Sequence, residues 1–331
     1  MTTLMIIRRA MLRALQWRLL LISPIVLLVA ATATLLPLTG FLGDLLDHSP
    51  RWRDITASLD WPTLAGIAKA LMTPAAAGLA PGIRTSVVLA VLFAPLLAGA
   101  ALFVAEAATR PTLRELLSGA AGYYPRLVRL QIAALVPLGI AAGIAVVAFG
   151  WAVRAASRAT SDAATHTSGR IAWLLTLVAV FVAQLVVDAA RARFAAEPAR
   201  RSAVFALGAG VKLVVKRPLR AVSIGLASTV PALLVAAVLL VVRQQITQAS
   251  TATVLLALVL AQLAVAAIAW GHAAKLCGLV ELAHELATSR LAATAPGTVP
   301  DPEPAAPAEP AEPPAAPAPA AAAPPIDPPE G

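Results

Sequence analysis

The chain has 331 residues, of which 59% are hydrophobic, 13% charged and 5% aromatic. A soluble domain carries about 25% charged residues to cover its surface, so this composition excludes a soluble globular protein, and its hydrophobicity excludes a chain disordered throughout. The net charge of +9 joins two unlike parts: residues 1–294 hold all 26 Lys and Arg with 11 of the 17 acids, a balance of +15, and residues 295–331 hold six acids and no base.

Residues 1–18 read as an amphipathic segment. Leu4, Ile7, Met11 and Leu15 recur at helical spacing on one face, with Arg9, Arg13 and Gln16 opposite. Six long apolar runs follow, at about 19–42, 85–107, 127–153, 171–190, 221–242 and 253–277. Crossing about 30 Å of hydrocarbon takes roughly 20 apolar residues in a helix. Backbone groups without water must be satisfied inside a helix or a closed barrel, and a barrel would show short alternating segments instead. The expected fold is therefore all-α: a polytopic six-helix bundle, residues 19–290, with amphipathic interfacial helices. Pro24, Pro37, Pro95, Pro137 and Pro231 fall inside these runs, where neighbouring helices tolerate the lost N–H. Ala31-Thr32-Ala33 resembles a signal-peptide cleavage pattern, but apolar residues continue to Phe41, so the first run is expected to be a retained span.

Between the first two runs, 43–84 is the one long connection on its side, with a short helix expected over Trp61–Met72. In the connection between the fourth and fifth runs, Val204, Leu207, Val211 and Val214 form a second amphipathic stripe beside Lys212, Lys216 and Arg217. Such helices lie in the headgroup layer, with their cations toward anionic lipid. Cations also set orientation. The N-terminal segment, the second and fourth connections and the C-terminal side hold 18 Lys and Arg against 8 on the other side, which places both termini in the cytoplasm. The positive charges punctuate apolar runs, so a membrane and not a nucleic acid is the expected partner.

A faint repeat runs through the chain, an interfacial helix followed by two spans, three times over. Tyr124-Pro125-Arg126 opens the third span as Arg217-Pro218-Leu219 opens the fifth, and Glu106 and Asp188 each close a span ahead of Arg110 and Arg191. Residues 296–331 contain 14 prolines, so 291–331 is expected to be a disordered tail, a spacer or a docking segment for a protein partner.

Polar groups within or bordering the spans are the natural places for chemistry. Glu106, Asp188 and His272 lie near the cytoplasmic boundary, where Arg110, Arg191 or Lys275 can pair with them; Gln131, Gln184 and Gln262 lie deeper and can bond between helices. No span carries a charge at its centre, which disfavours coupled ion transport. Cys277, Glu281, His284 and Glu285 share a few turns of one helix, but carboxylate metal sites need a second Glu-x-x-His, so a solvated face is expected. The single cysteine excludes an intramolecular disulfide. Phosphate-binding and dinucleotide glycine motifs are absent, and no catalytic residue, cofactor or metal site is expected.

Two segments resemble known families. Glu106-Ala107-Ala108 with Pro125 resembles the docking loop of ATP-driven import permeases, although Thr112 and Gly122 depart from that pattern. Residues 188–218, DAARARFAAEPARRSAVFALGAGVKLVVKRP, resemble a connector of uncharacterised bacterial six-helix membrane proteins, distantly similar to the membrane domains of glycerophosphodiester phosphodiesterases. That resemblance implies a bacterial inner-membrane setting and no activity. The expected role is a non-enzymatic scaffold or accessory protein that organises partners or lipids. The alternative is a small permease or transport subunit, which a polar cavity lined by Gln131, Gln184, Asp188 and Gln262 would favour.

Overall fold

The computed structural model describes residues 3–46, 74–107, 109–158, 162–197, 202–246 and 250–294. Residues 1–288 form one compact unit, and 289–331 a second, of which only the end of one helix is described. Among the described residues there is no strand. The chain runs through α1 (Thr3–Ala14), α2 (Trp17–Leu46), a 3-10 turn (Pro74–Leu79), α3 (Ala80–Glu106), α4 (Leu113–Ala133), α5 (Leu135–Arg158), α6 (Asp162–Ala196), α7 (Ala203–Lys216), α8 (Pro218–Gln244) and α9 (Thr251–Thr294). Among the described residues, six stretches are long and apolar enough to cross a membrane, one for each expected run: Trp17–Gly43, Ala77–Glu106, Leu113–Ala155, His166–Ala196, Pro218–Gln244 and Thr251–Thr288. The expected helix at Trp61–Met72 and the Pro-rich tail beyond residue 294 lie outside the described residues.

Local chemistry explains where these helices start and stop. Thr112 caps α4: its hydroxyl accepts from the Glu115 N–H at 3.3 Å, and the Glu115 carboxylate accepts from the Thr112 N–H at 2.7 Å. The pair satisfies two donors that a helix start would otherwise leave unbonded. Between α4 and α5 the helix is interrupted at Ala134, because the ring of Pro137 conflicts with the carbonyl four residues earlier, that of Ala133. Residues 127–133 therefore belong to α4, and Pro125 sits inside that helix instead of opening a span. Between α7 and α8, Arg217 adopts φ −137° and ψ 60°, since the residue before a proline is pushed out of the helical region.

The order is a shorter helix followed by two long ones, three times. Each shorter helix folds back on the long helix that precedes it, α4 on α3 and α7 on α6. The first of them, α1, lies against α3 and α8 and also reaches α9, where the Trp270 Nε1–H donates to the Met11 carbonyl at 3.2 Å. Small residues make these approaches possible. A Cβ on Gly210 of α7 would lie 2.7 Å from the Ala190 nitrogen and 2.8 Å from the Val186 carbonyl of α6. A Cβ on Gly99 of α3 would come within 2.9 Å of the Ala120 carbonyl of α4.

The core is correspondingly built from alanines joined by a few leucines, while many large aliphatic side chains, Leu36, Val146, Leu177 and Val238 among them, face outward. The stripes expected on α1 and α7 are split. Ile6, Ala10 and Ala14 are the buried row of α1, with Ile7 and Met11 beside the core and Leu4 and Leu15 exposed. Ala206, Gly210 and Leu213 are the buried row of α7, with Leu207 and Val214 beside the core and Val204 and Val211 exposed. Close helix packing selects the smallest side chains for the contact, not the most apolar ones.

Candidate functional site

A polar cluster among the described residues is centred on Asp188. In α6 the residues from Leu185 to Ala195 are buried but for the half-buried Val186, because α3, α4, α7 and α8 all pack on this helix. Asp188 is fully buried there. An isolated charge in such surroundings is unstable unless paired, and the sequence supplies two cations. Arg191, one turn further along α6, donates from Nη1 to Asp188 Oδ1 at 2.8 Å. Lys275 of α9 places Nζ 2.6 Å from Oδ2. His272, one turn earlier on α9, brings Nδ1 to 3.9 Å from the same oxygen. Arg191 also donates from Nη2 to Gln131 Oε1 of α4 at 3.0 Å.

This cluster joins α4, α6 and α9, and it gathers three of the six sequence candidates: Gln131, Asp188 and His272. The other three lie elsewhere. Glu106, exposed at the end of α3, accepts a hydrogen bond from the Tyr123 hydroxyl of α4. Gln184 and Gln262 are half-buried, and neither has a side-chain hydrogen bond among the described residues. Chemically, the carboxylate of Asp188 has each oxygen engaged by a cation and stands in a packed interior, which suits it to fastening helices.

A second set of ion pairs holds α1 and α8 to α9. Arg13 Nη1 lies 3.3 Å from Glu281 Oε1 and also donates to the Ala105 carbonyl at 3.2 Å. Glu285 receives Arg220 at 2.9 Å and Arg217 at 3.5 Å. Of the four residues expected on a solvated face of α9, His284 is exposed and the other three are not. Cys277 is buried and the two glutamates dock neighbouring helices, because α1 and α8 present arginines to them. Among the described residues no three His, Cys, Asp or Glu side chains gather as a metal site would require.

Sequence reasoning named Arg191 and Lys275 only as cations able to pair. It missed Arg193, which is buried and bonds Glu197 at 3.0 Å, and Gln16, whose buried amide donates to the Pro111 carbonyl at 3.1 Å. The i, i+4 spacing of Arg193 and Glu197 was a readable signal. Nothing local marked Gln16.

Two cavities open beside α2, one along its length and one at its start. The larger, about 290 Å³, lies between α2, α3 and α9; its walls are aliphatic apart from Ser23 and His272. The smaller, about 260 Å³, is mixed in character: Leu15 and Trp17 line it together with Gln16, Arg18 and Arg110. Gln131, Gln184, Asp188 and Gln262 line neither. No family model, curated protein or solved structure matches the chain.

Proposed function

We propose that this chain is a multi-pass integral protein of a bacterial inner membrane, with both termini cytoplasmic, acting as a non-enzymatic scaffold that organises lipids or partner proteins. The six long apolar helices support the membrane reading, as does their packing: large aliphatic side chains outward and small ones inward is the arrangement a lipid solvent favours. The bacterial setting rests on the likeness of residues 188–218 to a bacterial connector, and the orientation on the excess of Lys and Arg in the segments that hold α1, α4 and α7.

The observation that carries the scaffold reading is the fate of the polar candidates. Gln131 and Asp188 are tied across helices through Arg191 and Lys275, neither they nor Gln184 and Gln262 line a cavity described above, and the larger cavity is apolar. The test is passive flux across proteoliposomes containing the purified full chain. Proton and potassium leak indistinguishable from protein-free liposomes agrees with a scaffold. A leak that scales with protein content favours the permease.

A further inference from the structure

We propose that the two cavities on α2 together hold one anionic phospholipid, its acyl chain in the aliphatic groove and its phosphate between Arg18 and Arg110. This rests on the membrane reading above and names the ligand of a specific place in the bundle.

The placement follows from helix periodicity. Leu19, Ser23 and Leu27 line the larger cavity, and Gln16 lines the smaller. Positions 16, 19, 23 and 27 are spaced by three, four and four residues, so they lie on one face of a helix. The turn at Gln16 is continuous with α2, since the Leu20 N–H donates to the Gln16 carbonyl at 3.1 Å. Gln16, one turn before Leu19 on this face, and Arg18 both donate to the Pro111 carbonyl, so the smaller cavity stands one turn beyond the aliphatic groove, at the start of α2.

Each cavity has the chemistry of one half of an amphiphile. Leu97 of α3 and Val265 and Ile268 of α9 complete the groove walls. An aliphatic cavity holds no water that it could hydrogen-bond, and at bilayer depth the abundant apolar molecule is a lipid chain. In the smaller cavity, Arg18 donates to the Pro111 carbonyl at 2.5 Å and stacks its guanidinium 5.4 Å from the centre of the Trp17 ring. Neither contact neutralises its charge. Among the described residues, neither Arg18 nor Arg110 has an ion pair; the nearby Glu115 carboxylate is held by the Thr112 cap. Two guanidinium groups around one cavity, with the exposed Trp17 indole beside them, match a phosphate at the headgroup level.

The test uses the full chain purified in detergent and mixed with equal amounts of phosphatidylglycerol and phosphatidylcholine of identical acyl chains, with retained lipid counted by native mass spectrometry. One phosphatidylglycerol per chain is expected to be retained in preference to phosphatidylcholine. Each juxtamembrane arginine contributes about fivefold, so the Arg18→Gln, Arg110→Gln double variant is expected to lose most of the preference while still holding a lipid. Ala269→Phe, which fills the groove, is expected to lose the retained lipid of either headgroup. Circular dichroism of both variants establishes that they are folded. Equal retention of the two lipids by the unaltered chain, or an unchanged preference in the folded double variant, overturns the proposal. Extraction of the chain from membranes by alkaline carbonate would instead overturn the membrane reading itself.

Discussion

Lys275 of α9 sets its ammonium nitrogen 2.6 Å from the buried carboxylate of Asp188 in α6, a tie between two helices far apart in the chain. With Arg191 on the other oxygen, the carboxylate faces two cations and no competing acid within the cluster. Removing one member of a buried pair leaves an uncompensated charge, which typically costs about 3–5 kcal/mol. Asp188→Asn strands two.

Asp188→Asn is accordingly expected to lower the stability of the bundle by at least that range, read as a large fall in thermal midpoint in detergent. Adding Lys275→Met should recover part of the loss, because one of the two stranded cations is then gone. The non-additivity of the two changes measures their coupling. Additive losses would mean that the two residues do not interact.

Glu285→Ala provides the contrast. Its partners Arg217 and Arg220 and the glutamate itself are about one-third exposed, and exposed pairs contribute about 0–1 kcal/mol. A small shift in midpoint is expected, shrinking further in high salt, whereas the Asp188 variant should stay destabilised at any ionic strength.

The sequence made some of this legible and concealed the rest for definable reasons. Apolar runs long enough to span a bilayer stand out in any reading, and so does Pro218, which forces the break after Arg217. The cations able to pair with Asp188 were visible as Arg191 and Lys275. The inward faces of α1 and α7 were not. In a soluble helix the apolar stripe points inward, but here both interior and exterior are apolar, and size decides which side chain is buried. The break at Ala134 depended on reading Pro137 against a carbonyl four residues back instead of treating it as one more proline inside a span. The role of Glu281 and Glu285 needed Arg13 and Arg220, residues that only the folded chain brings beside them.

The size argument has its own test at two glycines of α7. A Cβ at Gly210 would overlap the backbone of α6, and overpacking of this kind costs about 1–3 kcal/mol, so Gly210→Ala is expected to lower the thermal midpoint in detergent. Gly208, two residues away, has nothing within 4 Å of such a Cβ. There alanine should be neutral or stabilise by up to about 1 kcal/mol through helix propensity. Equal effects at the two sites would contradict the packing of α7 on α6.

The most direct test of the membrane reading places single cysteines on either side of α8. In a Cys277→Ser background, Ser202→Cys and Ser250→Cys are exposed, one at a time, to a membrane-impermeant maleimide in intact cells. The account predicts that Ser250→Cys is labelled at once and Ser202→Cys only after the membrane is opened. The opposite pattern would contradict the orientation, and labelling of both positions in intact cells would contradict a spanning α8.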